Sequence, residues 1–122
     1  MREILFKAKR LDNGEWVEGD LLHTRHADVV LISDFKDQLF RCDGNTLRQY
    51  TGLTDKNGQK IWENDIAYIR SSGLSGYGVI KYENGNLVLV DSKRKRTYSL
   101  YGEWKIRKDG NIFDNADLLE VE

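Results

Sequence analysis

The residues best equipped for chemistry are His23 and His26, the single cysteine Cys42, and a run of polar groups from Asp55 to Glu63. The two histidines could share a metal ion from a strand or loop. Only Asp20 and Asp28 stand near them as carboxylates, and no further His or Cys is close. Zinc sites draw on tighter ligand sets, so the pair reads as surface or capping histidines. Asp55-x-Asn57-x-Gln59 followed by Glu63 has the outline of a calcium loop. However, the sixth position is Lys60 where the sharp turn needs glycine, and the position for the bidentate glutamate falls on Ile66. One thiol cannot form an internal disulfide, so the fold does not depend on an oxidising compartment. No serine sits in a nucleophile-elbow context. Gly73-Leu74-Ser75-Gly76-Tyr77-Gly78 is rich in glycine but lacks the strand-loop-helix frame of a phosphate cradle, and reads as a hairpin loop. These residues predict no enzyme, no metal and no cofactor.

Charge is the stronger local signal. Lys93-Arg94-Lys95-Arg96, Lys105, Arg107 and Lys108 place seven basic residues between positions 91 and 108, against Asp91 and Glu103. Tyr98, Tyr101 and Trp104 are interleaved with them. Single-stranded nucleic acids are bound by such mixtures, with phosphates on the cations and bases stacked on the rings. Against this stand the formal net charge of −1 and the acids Asp109, Asp114, Asp117, Glu120 and Glu122, which can neutralise the patch within the molecule or in a neighbour. The leading expectation is therefore a non-enzymatic protein-interaction or self-assembling module, a homo-oligomer or the partner of another protein. The alternative is a nucleic-acid accessory protein that makes contact through Lys93, Arg94, Lys95, Arg96, Tyr98, Tyr101, Lys105 and Arg107.

These groups must be held by a mainly β fold. The chain has 122 residues, 39% hydrophobic and 11% aromatic, enough for one ordinary domain and too apolar for a disordered tail despite 32% charged residues. It has no proline, so its turns fall to Gly, Asn and Asp. Asn13-Gly14, Asn57-Gly58, Asn84-Gly85 and Asp109-Gly110 mark tight turns between strand-like runs. Tyr77–Tyr82 and Leu87–Val90 meet at one such turn and predict a hairpin. Further strands are expected before and after Asn13-Gly14, at Ala27–Ile32, Leu39–Cys42, Ile66–Ile69, Thr97–Tyr101 and Trp104–Ile106. Single helical turns are expected at Asn45–Gln49 and after Asn115, which could cap the second. Short strands at this spacing indicate antiparallel hairpins forming a small barrel or sandwich, with an SH3-like arrangement as one option in the C-terminal half. The expectation is one domain over 1–122, softly divided into 1–50 and 51–122. No apolar run approaches the ~20 residues that span a bilayer. The N-terminus alternates charged and apolar residues with no signal-peptide core, which predicts a cytoplasmic protein without membrane partners.

The stretch Gln49-Tyr50-Thr51-Gly52-Leu53-Thr54-Asp55-Lys56-Asn57-Gly58-Gln59-Lys60-Ile61-Trp62-Glu63-Asn64-Asp65-Ile66 resembles the signature of the YopX family. Gly78 to Val90 resembles the strand, Tyr-x-Asn-Gly turn and strand that follow it there. Arg2–Ala8 and Asn111–Leu119 resemble the family's termini. Two departures stand out: Asn64 where the family usually has glycine, and Ala116 where it usually has proline. The resemblance implies a phage or prophage origin, the cytoplasm of a bacterial host, self-association, and no assigned activity. Read from its residues alone, the central motif is structural. Thr51, Gly52, Asp55, Asn57, Gly58 and Asp65 are turn formers and backbone ligands, while Leu53, Ile61 and Ile66 point to a core.

Overall fold

The computed structural model describes residues 4–26 and 28–120. The fold is antiparallel β throughout, with two short 3-10 turns. It divides into two compact units, residues 1–50 and 51–122.

In the first unit, β1 (Phe6–Lys9), β2 (Trp16–His23), β3 (Val29–Ser33) and β4 (Leu39–Asp43) form a meander, and the start of β5 (Arg48–Thr54) lies beside β1. Gly14 turns the first hairpin at φ +72°. In that turn Asn13 Oδ1 accepts from the Glu15 amide at 2.9 Å. The strand expected from Ala27 begins at Val29; Ala27 itself lies outside the described residues, as do Arg2 and Glu3. β2 pairs with β1 through Gly19 and with β3 from Asp20 onward. Where the strand changes partner, a Cβ on Gly19 would lie 2.0 Å from the Ser33 carbonyl oxygen, so only glycine fits. Ala8, Val30, Ile32 and Cys42 form the core. Between β4 and β5, a 3-10 turn at Gly44–Thr46 stands where Asn45–Gln49 was expected to be helical, and Arg48 onward is already strand. Asp43 caps the turn by accepting from the Asn45 amide at 2.9 Å.

In the second unit the end of β5 lies beside β6 (Lys60–Trp62). A five-stranded sheet follows: β7 (Asp65–Ser71), β8 (Leu74–Glu83), β9 (Asn86–Asp91), β10 (Arg96–Ser99) and β11 (Lys105–Asn111), in the order β10-β9-β8-β7-β11. The first four strands are a meander, and the last returns beside β7. β10 and β11 are opposite edges and do not pair, so of the two expected forms the sheet does not take the closed barrel. β10 spans only four residues, and β11 is held by β7 instead.

Alternation sorts the two faces. Ala67, Ile69, Ile80, Leu89 and Ile106 point inward and form the core with Ile61 and Leu100. Tyr68, Arg70, Tyr77, Lys105 and Arg107 point the other way. On that outer face Leu118 and Leu119, in the final 3-10 turn (Ala116–Leu119), line a cavity of about 80 Å³ with Val79 and Val90. Asn115 does not cap that turn; its Oδ1 accepts from the Asn111 amide instead, at 3.2 Å.

The stretch expected as a loop, Gly73–Gly78, is instead the β7–β8 turn and the beginning of β8. Gly73 makes the turn at φ +86°, whereas Gly76 and Gly78 are there for close approach. A Cβ on Gly76 would meet the Tyr98 ring at 2.6 Å, and one on Gly78 would meet the Val90 carbonyl oxygen at 2.0 Å.

Candidate nucleic-acid interface

The structure separates the basic stretch into two groups. Lys93, Arg94 and Lys95 lie in the exposed turn between β9 and β10, where Asp91 accepts from the Arg94 amide at 3.1 Å. Arg96 continues along the β10 edge. Lys105 and Arg107 lie on β11, at the opposite edge of the sheet. The aromatics divide as well. Tyr98 turns inward: its ring covers Gly76, its hydroxyl donates to the Ser75 carbonyl at 3.1 Å, and Trp104 meets it edge-on at 6.0 Å. Tyr101 is 67% exposed and donates to Asn86 Oδ1 at 3.3 Å, away from the cations of β11. The eight residues expected to act together therefore do not form one face.

Another grouping takes its place. Arg107 is directly opposite Tyr68, and Tyr68 is directly opposite Tyr77. These three form one cross-strand row over β11, β7 and β8. The next row is Lys105, Arg70 and Ser75. The Arg107 guanidinium lies over the Tyr68 ring, 5.0 Å from its centroid. Asp109, in a bulge of β11, holds that guanidinium with both carboxylate oxygens, Nε at 2.9 Å and an Nη at 3.2 Å. This bidentate hydrogen bonding raises the arginine's already high pKa. Burial and the same carboxylate push the Tyr77 phenol above its ordinary value.

Lys56 joins these residues from the central motif, and the motif itself explains why. Asp55 accepts from the amides of Asn57 and Gln59 at 2.8 and 2.9 Å, and Gly58 turns at φ +80°. The Lys56 amide then donates to the Ile106 carbonyl at 3.2 Å, which lays the loop against β11. Thr51 donates to the Ile61 carbonyl at 2.6 Å, Gly52 sits at φ +88°, and Asp65 accepts from the Trp62 amide at 2.7 Å. Asp55, the first residue of the stretch with a calcium-loop outline, thus serves the backbone. Asn64, in place of the family's usual glycine, stands at φ +69°, a conformation Asn tolerates better than most residues.

Lys56, Tyr68, Arg70, Lys105 and Arg107 line a groove of about 220 Å³. It shares Arg70 and Lys105 with a wider depression that reaches Trp104 and includes Glu103. None of Lys56, Arg70 and Lys105 is in an ion pair among the described residues. Sequence reasoning missed Lys56, Tyr68, Arg70 and Tyr77. Ala67-Tyr68-Ile69-Arg70 carried a usable signal, since its alternation puts Tyr68 and Arg70 on the face opposite the core.

The model of the YopX protein family matches residues 5–120. The chain belongs to the YopX family. Among solved structures, the crystal structure of protein yopX from Bacillus subtilis is similar, with a TM-score of 0.57 at 16% sequence identity, covering 97% of this chain and 98% of that one. At that identity the likeness concerns the fold. No curated protein sequence matches the chain. No helix among the described residues of this YopX-family protein is long and apolar enough to cross a membrane.

Proposed function

We propose that the protein is a non-enzymatic accessory factor that binds nucleic acid through the outer face of β11, β7 and β8. One observation carries this reading: the row Arg107–Tyr68–Tyr77 lies next to a row that holds Arg70 and Lys105, and Lys56 reaches the same groove. Arg70, Lys105 and Lys56, in no ion pair among the described residues, keep their charge for phosphates, and adjoining rings offer flat apolar surfaces. The test is titration of labelled DNA and RNA by fluorescence anisotropy at about 50 and 200 mM salt. The wild type is expected to bind more weakly at the higher salt. Arg70→Glu/Lys105→Glu is expected to weaken binding at least tenfold and flatten the salt dependence. Absence of salt-sensitive binding by the wild type removes the proposal. Loss of binding in Lys93→Glu/Arg94→Glu with none in Arg70→Glu/Lys105→Glu moves the site to the β9–β10 turn.

A protein partner or a second copy is the other reading, favoured by the short exposed edge strand β10. Light scattering over a range of concentrations checks self-association, with a mass of twice 14.2 kDa or more expected for it. A constant monomer mass at high concentration excludes it.

A further inference from the structure

The outer face also has a shape, and the shape selects among nucleic acids. We infer that it binds single strands in preference to duplexes, with bases stacking on the Tyr68–Tyr77 row and phosphates held by Arg70, Lys105 and Lys56. This rests on the nucleic-acid reading above and goes further by naming the partner's form.

Neighbouring strands lie about 4.8 Å apart, so the row from Arg107 through Tyr68 to Tyr77 extends over about 10 Å. The planar groups in it are a guanidinium and two phenol rings, and all three belong to half-buried or exposed residues. The cations Lys105 and Arg70 lie two residues further along β11 and β7, about 6.7 Å away, while on the other side Tyr77 lines a cavity with Lys93, Leu118 and Leu119. A duplex gains less from this layout. Its bases are stacked inside and its phosphates run along both rims of each groove. Its major groove admits a helix or a two-stranded ribbon, and a face three strands wide does not enter. An extended single strand has free base faces and one line of phosphates, which matches one line of cations beside one row of rings.

The same rows explain what the face does not do. Apart from the cations, which this arrangement assigns to phosphates, it has few groups suited to reading base edges: the tyrosine hydroxyls, Ser75 and the Asp109 carboxylate, which already holds Arg107. Stacking and charge are tolerant of sequence, so little preference among sequences is expected. Asp109 holds the guanidinium over the Tyr68 ring and adds a negative charge that moderates affinity for phosphate.

The experiment compares a labelled mixed-sequence strand of about 12 nucleotides with the duplex of the same sequence, using the full chain at low salt. The single strand is expected to bind at least tenfold more tightly. Tyr77→Leu and Tyr68→Leu are each expected to cost the single strand about 5-fold to 150-fold in affinity, the range for losing one stacked base, and to leave the duplex nearly unchanged. Tyr77→Phe, which keeps the ring, is expected to retain the preference. Equal or tighter binding of the duplex overturns the inference and leaves the nucleic-acid reading standing. So does a single-strand preference that folded leucine variants keep undiminished. If the wild type binds neither form, both fall. Should the leucine variants fail to fold, the wild-type comparison of strand and duplex decides.

Discussion

Asp65→Ala is expected to destabilise the protein by about 3–5 kcal/mol, the range for removing one partner of a buried ion pair. Asp65 is 0% exposed, its Oδ2 accepts from the Trp62 amide at 2.7 Å, and the same oxygen lies 3.3 Å from Lys108 Nζ. The ammonium is also largely buried and donates to the Lys60 carbonyl at 3.3 Å. Alanine leaves that ammonium without its counter-charge and the Trp62 amide without its acceptor, at the point where β6, β7 and β11 meet. Asn keeps an acceptor and loses the charge, so Asp65→Asn is expected to cost less, about 1–3 kcal/mol. Urea denaturation checks both, as a lower midpoint at unchanged slope. Adding Lys108→Met to Asp65→Ala is expected to recover part of the loss, because it removes the stranded charge. A double variant weaker than Asp65→Ala would show that the ammonium acts through its carbonyl contact more than through the carboxylate.

Gly78→Ala carries the second large effect. The added Cβ would lie 2.0 Å from the Val90 carbonyl oxygen and 2.7 Å from its carbon, both backbone atoms in a paired strand. No side-chain rotation relieves that overlap, so β8 and β9 must shift apart. The expected cost lies at or above the top of the roughly 1–3 kcal/mol range for overpacking. Two glycines nearby serve as controls. At Gly76 the obstacle is the ring of Tyr98, a side chain rather than backbone, so Gly76→Ala is expected to cost less. At Gly85 the space is open and only the positive φ of 79° opposes a side chain, so Gly85→Ala is expected to cost about 1–2 kcal/mol. Thermal unfolding of the three variants checks the order. A Gly78→Ala protein as stable as Gly85→Ala would mean that the strand pair accommodates the methyl group by a backbone adjustment.

The hairpins were legible in the sequence because their determinants are local. Asn84 and Gly85 take φ values of 51° and 79°, as a two-residue turn between β8 and β9 requires, and few residue pairs do so cheaply. Asp55 was legible as a turn holder for the same reason. Two things were not. Glycines in a row suggest a loop, yet Gly76 and Gly78 are strand residues chosen for what approaches them from other strands. The return of β11 to β7, rather than to its sequence neighbour β10, is a long-range pairing that no local pattern encodes. That single pairing removes Lys105 and Arg107 from Lys93–Arg96 and delivers them to Tyr68, Tyr77 and Arg70. The basic-aromatic chemistry was visible in the sequence. Its membership was not, because only the sheet order decides it.

The late arrival of β11 also matters while the chain is being made. β7 can pair with β8 as soon as their short hairpin leaves the ribosome. Its other edge must wait for a strand about 40 residues further on, a contact of high sequence separation and slow closure. Until then β7 offers unpaired backbone to any neighbouring chain. The outer face is equally unfinished, with Tyr68, Arg70 and Tyr77 present but Lys105 and Arg107 still to come. A nascent or shortened chain without β11 has the rings of this face without Lys105 and Arg107.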